Sequence, residues 1–130
     1  MISPSELWHF VVPGYLLTVL IETPVLVVGL PSRHPLKRKL LAGAWLTACT
    51  YPIVVLVLPL LFAAYSRTTY LIVAETFAPV AECVLFWLAF DKDARLPEVS
   101  RDFAVIVVAN LASFGIGEVM NAYDWFGLLG

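Results

Sequence analysis

The chain has 130 residues, of which 61% are hydrophobic and only 14% are charged, and its formal net charge at pH 7 is −2. A soluble globule of this size exposes a large share of its residues, so this composition would leave wide apolar patches in water. We therefore exclude a soluble protein and expect one membrane domain that covers residues 1–130.

Four apolar segments follow one another along the chain, and we expect membrane spans at about 10–30, 40–64, 69–90 and 103–122. About 20 apolar residues suffice to cross a bilayer as a helix, and the stretch 40–66 carries no charged residue. Helices are required because backbone groups in hydrocarbon must pair within their own segment. The sequence thus predicts an all-α polytopic membrane protein with four transmembrane helices arranged as two helical hairpins.

The first predicted hairpin combines an acidic helix with a hydroxyl-bearing return helix. Glu22 lies in the apolar stretch "LIETPVLVVGL", about halfway through the first span. Thr47 and Thr50 lie at a similar depth in the second span. Gly43, on the same span, is expected to permit close approach of a neighbouring helix, and the same is expected of Gly115 and Gly117.

The second predicted hairpin repeats this plan. Glu82 precedes the link 91–102 by as many residues as Glu22 precedes the link 31–39, so both carboxyl groups are expected at one level. Asn110 and Ser113 on the fourth span match Thr47 and Thr50 in depth. Two hairpins that start from the same side suggest a parallel internal repeat about an axis along the membrane normal. A second polar set lies nearer the other surface, at Glu75, Glu118 and Asn121.

Basic residues are concentrated in the links 31–39 and 91–102, which hold every Lys and Arg except Arg67. The positive-inside rule places both links in the cytoplasm and both termini outside, as expected for a multi-pass protein of the cell inner membrane. Topology alone explains these charges, so no nucleic-acid partner is expected. The first ten residues, "MISPSELWHF", lack the basic region of a signal peptide, so we expect the first span to stay in the mature protein and not to be cleaved off.

Carboxyl groups at mid-membrane are costly and often mark function. The predicted site for a cation or proton comprises Glu22, Glu82, Thr47, Thr50, Asn110 and Ser113, and Glu75, Glu118 and Asn121 are candidates for an outer access path. The spans contain no Lys or Arg, so the two acids are either neutral or compensated by a cation. The alternative is a structural or accessory subunit in which protonated acids only specify helix packing. Four short helices enclose little volume, so a homo-oligomer or a larger membrane complex is expected beside the lipid bilayer.

No cofactor or catalytic residue is expected. The sequence has no HExxH, GxSxG, P-loop or dinucleotide motif, and a lipid-modifying enzyme that uses the two acids is the less favoured interpretation. His9 and His34 lie outside the spans on opposite sides and cannot complete one metal site with the buried acids. Oxygen ligands would suit Mg²⁺, Ca²⁺, Mn²⁺ or Na⁺, and the metal stays unknown. Cys49 and Cys83 suggest no disulfide.

The stretches "IETPVLVV", "TACTYP", "AETFAPVAECVLFW" and "ANLASFGIG" resemble uncharacterised small four-span prokaryotic membrane proteins. Those proteins pair a Glu-containing helix with an Asn-x-x-Ser/Thr helix, and here Thr47 stands at the position where they often have Asn. The resemblance implies the four-span fold and brings no activity with it.

Overall fold

The computed structural model describes the backbone of residues 4–122 and the side chains of residues 11–119. Its elements are α1 (Pro4–Gly29), α2 (Leu36–Pro52), α3 (Leu58–Leu61), α4 (Arg67–Phe86) and α5 (Leu96–Ala122). Two π-helical turns continue α2 and α4, at Ile53–Val57 and Trp87–Asp91. The predicted all-α class with four membrane-length helices is confirmed.

Each span is a long apolar helix, and two of them are built from several elements. The segments long and apolar enough to cross a membrane are Val11–Gly29, Leu36–Leu61, Arg67–Asp91 and Leu96–Val119. The second span contains a π-helical turn directly after Pro52, which has no N–H to offer the carbonyl four residues earlier. In membrane helices, a backbone hydrogen bond lost at proline is often compensated by a local change to π-helical geometry. The turn Ile53–Val57 is such a change.

A lysine at the start of α2 forms hydrogen bonds with the end of α1 in the first hairpin. α2 begins at Leu36, directly after Pro35, so Lys39 belongs to its first turns. The Lys39 ammonium donates to the carbonyl oxygens of Val27, at 3.2 Å, and Leu30, at 2.9 Å. These carbonyls stand at the end of α1 and would otherwise lack helical partners. Lys39 thus ties the start of α2 to the end of α1 and also contributes charge to the first link.

The four spans form a bundle in which each helix contacts two neighbours. α1 packs against α2 and α5, and α4 packs against the same two helices. α1 and α4 therefore face one another across the bundle. The helix contact at Gly43 is as close as expected, because a Cβ atom there would overlap the Thr23 hydroxyl. The prediction for Gly115 and Gly117 is wrong for the described residues, since a Cβ at either would meet no atom within 4 Å.

A dry core fills the bundle on the side of the links 31–39 and 91–102. Its buried members come from all four spans: Leu26, Leu30, Ala42, Leu46, Cys83, Phe86, Ile106 and Ala109. The Phe86 and Phe90 rings meet edge to face with their centroids 5.0 Å apart. Large apolar side chains such as Leu20, Val28 and Ile72 point outward from the bundle, as lipid contact requires. Polar residues cluster on both sides of this apolar core, one cluster towards the two links and the other towards the opposite end of the bundle.

Candidate functional site

A cavity of about 130 Å³ lies inside the bundle, on the far side of the dry core from the two links. Its polar walls come from all four spans, so no single helix builds it. All six residues of the predicted central site border it, and the complete lining is Thr18, Glu22, Thr47, Thr50, Tyr51, Val54, Glu75, Ala78, Glu82, Asn110, Ser113 and Phe114. The two mid-span acids therefore meet at one polar cavity and do not point to lipid.

Glu82 is held by hydrogen bonds to both of its carboxyl oxygens. The side chain is 3% exposed. Thr50 Oγ1 donates to Glu82 Oε2 at 2.7 Å, and Asn110 Nδ2 donates to Oε1 at 3.2 Å. The donors come from α2 and α5, the two neighbours of α4. Glu82 thus links three helices at a single carboxyl group.

Glu22 has one such bond. It is also 3% exposed, and Ser113 Oγ donates to its Oε2 at 2.5 Å. No side chain among the described residues donates to its second oxygen. The Thr47 hydroxyl is buried and likewise has no hydrogen-bond partner among the described residues. Thr47 faces Glu22 without completing a hydrogen bond of normal geometry, so the polar atoms of this pair are less fully used than those of Glu82.

The two acids are bound according to one pattern. Glu22 accepts from Ser113, the second polar residue of the other hairpin's return helix, and Glu82 accepts from Thr50, which holds the equivalent place in the first hairpin. Exchanging the hairpins would exchange these two bonds. An axis along the membrane normal predicts this relation. The duplication itself stays a prediction.

The outer candidates separate in the structure. Glu75 is half-buried and borders the same cavity as Glu22 and Glu82. Glu118 is not among the residues that border the cavity. Both of its carboxyl oxygens instead accept hydrogen bonds from Arg67 Nη2, at 2.9 Å and 3.1 Å. This ion pair joins the start of α4 to α5 and is not indicated by the sequence pattern. The side chain of Asn121 lies outside the described residues.

A second polar cluster lies on the opposite side of the dry core, where the two links meet. We call it the link cluster and define it as His34, Asp91 and Asp102, which are each at most 1% exposed. His34 Nε2 lies 2.8 Å from Asp102 Oδ2. Arg33 Nη2 bridges the two acids, at 2.5 Å from Asp102 Oδ2 and 3.1 Å from Asp91 Oδ1. Its Nε also lies 3.1 Å from Glu98.

The hydrogen bonds of His34 define its tautomer. Arg38 Nη1 lies 3.2 Å from His34 Nδ1, and a guanidinium group can only donate, so Nδ1 accepts. Nε2 then carries the proton and donates to Asp102. Burial lowers the pKa of His34 below its usual value, the Arg33 charge lowers it further, and the Asp91 carboxylate opposes them only in part. Burial and the Arg33 charge therefore favour the neutral ring.

Sequence reasoning missed the link cluster because it treated the charges of the two links only as topology signals. The distribution of basic residues puts both links at the same end of the bundle, so the sequence does contain a signal for contact between His34 and the acids of the other link. Links of adjacent hairpins meet in a bundle, so His34, Asp91 and Asp102 were candidates for contact. The exclusion of a metal site that combines His34 with the mid-span acids does not apply to Asp91 and Asp102.

Two kinds of chemistry follow from these geometries. The cavity offers carboxyl, hydroxyl and amide oxygens, a donor set suited to a proton or a hard cation. The link cluster offers one imidazole nitrogen and two carboxylates, whose ligand atoms all lie within 4.8 Å of one another. That donor set suits transition metals such as zinc or manganese.

Comparison with protein-family models, with curated proteins and with solved structures finds no match for this chain. The resemblance noted from its short motifs is therefore supported only at a coarse level. The chain is a small four-span integral membrane protein with buried carboxyl groups.

Proposed function

We propose that this protein binds or passes a cation or a proton at the level of Glu22 and Glu82. The observation that carries the proposal is that both side chains, from opposite corners of the bundle, border one polar cavity. No Lys or Arg among the described residues contacts either of them. The proposed site has no catalytic role.

The charge balance of the cavity favours a positively charged ligand. An ionised carboxylate buried without a partner costs several kcal/mol, and two in one cavity also repel each other. Serine, threonine and asparagine donors reduce this cost without removing the charge. A proton or a bound cation would neutralise it. Glu22, with a free oxygen, is the acid that we expect to bind this ligand first.

The experiment compares Glu22→Gln, Glu82→Gln and the double variant with Glu118→Gln. Glutamine keeps the shape and removes the charge, and Glu118 provides the same substitution away from the cavity. The purified chain is reconstituted into vesicles, and proton, Na⁺ and Mg²⁺ fluxes are recorded. Equilibrium binding of Na⁺, Mg²⁺, Ca²⁺ and Mn²⁺ is measured on the same preparations.

We expect the Glu22 and Glu82 variants to assemble normally and to lose flux or binding of one of these ions, while Glu118→Gln keeps it. Protonation of the two acids can be followed separately by infrared difference spectroscopy of the carboxyl band. The proposal would be overturned if the double variant showed the same ion binding, the same flux and the same carboxyl band as the wild type.

A second candidate is a structural or accessory subunit, and a specific observation favours it. Among the described residues, every hydrogen bond to Glu22 and Glu82 crosses between helices, joining α1 to α5 and α4 to both α2 and α5. Such bonds specify which helices pair. Under this function, the glutamine variants would change stability or assembly and leave ion binding unaffected.

For the orientation, we propose that the two links face the cytoplasm and that both termini lie outside, in a cell inner membrane. The distribution of Lys and Arg supports this orientation. A reporter fused to the C-terminus tests the orientation: activity of an externally active reporter is expected, and activity only of a cytoplasmic one contradicts it.

We further propose that transport would need a homo-oligomer or a larger complex, since the cavity of one chain is small.

A further inference from the structure

We propose that the link cluster, His34, Asp91 and Asp102, is a binding site for a divalent transition-metal ion. This site is distinct from the proposed level of Glu22 and Glu82, from which the dry core separates it. The proposal does not depend on the function suggested for that level.

The three side chains converge from three different segments. His34 comes from the first link, Asp91 ends the π-helical turn after α4, and Asp102 lies in the second turn of α5. Their ligand atoms lie within 4.8 Å of one another. Nitrogen and oxygen ligands bind zinc at about 2.0–2.2 Å, so small side-chain movements bring all three to one ion. Ligands from separate segments would let one ion tie both hairpins together.

Two unused oxygens point to a missing ligand. Asp91 Oδ2 and Asp102 Oδ1 are buried and have no hydrogen-bond partner among the described residues, and both side chains are 0% exposed. Buried carboxylate oxygens without a partner are unfavourable. The two carboxyl groups lie close enough to share a proton, and a cation bound between them would replace that proton and satisfy both oxygens. Imidazole with carboxylates suits Zn²⁺, Mn²⁺, Co²⁺ or Fe²⁺, whereas Na⁺ and Ca²⁺ prefer oxygen ligands alone.

Arg33 determines how such an ion would enter. Its guanidinium group already bridges the two acids, so it occupies the place of a positive charge and must compete with a metal ion. The Arg33 side chain is 29% exposed, unlike the two acids, and it can swing towards solvent. Metal binding would also require His34 Nε2 to give up its proton, which moves to Nδ1 when Arg38 turns away. The ring binds as neutral imidazole, and the proton that Asp91 and Asp102 share would be released to solvent when the ion binds.

This competition predicts opposite effects for neighbouring substitutions. Asp102→Asn and His34→Gln remove ligands and should weaken metal binding by at least about tenfold. Arg33→Gln removes the competing cation and should strengthen it by about tenfold. A purely structural ion pair predicts neither result. Asp93→Asn is the matched control, because Asp93 is exposed and lies two residues from Asp91.

The experiment uses the full chain without an affinity tag, purified in detergent. Co²⁺ is titrated and its visible absorbance is recorded, and Zn²⁺ is then added to displace it. We expect one ion per chain for the wild type, Asp93→Asn and the Glu22→Gln/Glu82→Gln double variant. Retention in that double variant separates this site from the proposed ion level. Thermal unfolding with and without Zn²⁺ shows whether each variant is folded and whether the ion stabilises it.

Two results would overturn the proposal. One is Co²⁺ binding by the wild type that is no tighter than by Asp102→Asn. The other is Zn²⁺ stabilisation that is equal in the wild type and Asp102→Asn. Because the first comparison needs no Arg33 variant, the proposal stays testable even if Arg33→Gln does not fold.

Discussion

Thr50→Val and Thr47→Val make the same change on the same face of α2, one turn apart, and should have different effects. Both threonines are buried, with exposed fractions of 3% and 1%. Thr50 Oγ1 donates to Glu82 Oε2 at 2.7 Å and also lies 3.1 Å from the Leu46 carbonyl oxygen. The Thr47 hydroxyl has no partner among the described residues. We expect Thr50→Val to destabilise the protein and Thr47→Val to leave its stability unchanged or slightly higher.

The expected loss for Thr50→Val follows from the bond to Glu82. Valine replaces threonine with almost no change of shape, so no cavity opens and the lost bond dominates. Hydrogen bonds between membrane helices are worth about 0.6 kcal/mol on average and up to about 1.7 kcal/mol. A bond to an ionised group is worth about 1.5–3 kcal/mol. A loss of about 0.6 kcal/mol, well below about 1.5 kcal/mol, therefore indicates a protonated Glu82, and a loss of about 3 kcal/mol indicates a carboxylate.

Thr47→Val removes a buried hydroxyl that has no bond to lose. Burying such a group unpaired is unfavourable, so its removal should change the free energy of unfolding by less than about 0.5 kcal/mol or stabilise the fold. Thr47 also borders the cavity, so this variant can still alter ion binding. Stability and binding are thus expected to respond to different threonines.

The assay is reversible unfolding of the purified chain in mixed micelles, with increasing denaturing detergent and helicity as the signal. The free energy of unfolding is compared among wild type, Thr50→Val and Thr47→Val. Equal values for the two variants would refute the reasoning, because the hydrogen bond to Glu82 would then contribute nothing measurable.

Two further predictions concern helix contacts. Gly43→Ala should destabilise the fold by about 1–3 kcal/mol, because its Cβ would overlap the Thr23 hydroxyl. Adding Thr23→Ala should recover part of this loss. Gly115→Ala is the control, because the space there is open, and it should change the free energy of unfolding by less than about 0.5 kcal/mol. Arg67→Gln breaks the exposed pair with Glu118 and should cost less than about 1 kcal/mol in thermal or detergent unfolding at low salt, with the difference vanishing at high salt; a loss of several kcal/mol would contradict this.

The fold could be predicted because a bilayer leaves few options for an apolar chain. Four long apolar segments with short links must become helices, and consecutive helices must form hairpins. The helix starts were harder to predict. α2 begins at Leu36, within the charged stretch, because Pro35 can precede a helix and Lys39 can reach back to the carbonyls of α1. Charge marks the membrane boundary, but it does not mark the helix boundary.

The meeting of Glu22 and Glu82 at one cavity was suggested by depth along the helices, and depth is readable from sequence. The partner of each acid was not readable, because it depends on helix rotation and on which helices are neighbours. Ser113 bonds Glu22 from the other hairpin, and Thr50 bonds Glu82 likewise. For the link cluster, the sequence indicates that the two links meet at one end of the bundle, but the pairing of His34 with Asp102 again depends on helix rotation and on which helices are neighbours.

The dry core between the two polar groups bears directly on what the protein can do. Along each span, core residues stand between the cavity and the link cluster: Leu26 follows Glu22, Leu46 precedes Thr47, Phe86 follows Glu82, and Ile106 lies between Asp102 and Asn110. A charge in such a layer meets neither water nor a polar side chain, so its transfer is strongly opposed. In this arrangement an ion can be bound beside Glu22 and Glu82 without crossing the bundle. Passage would require Phe86 and its neighbours to separate, or a path between chains, whereas binding requires neither.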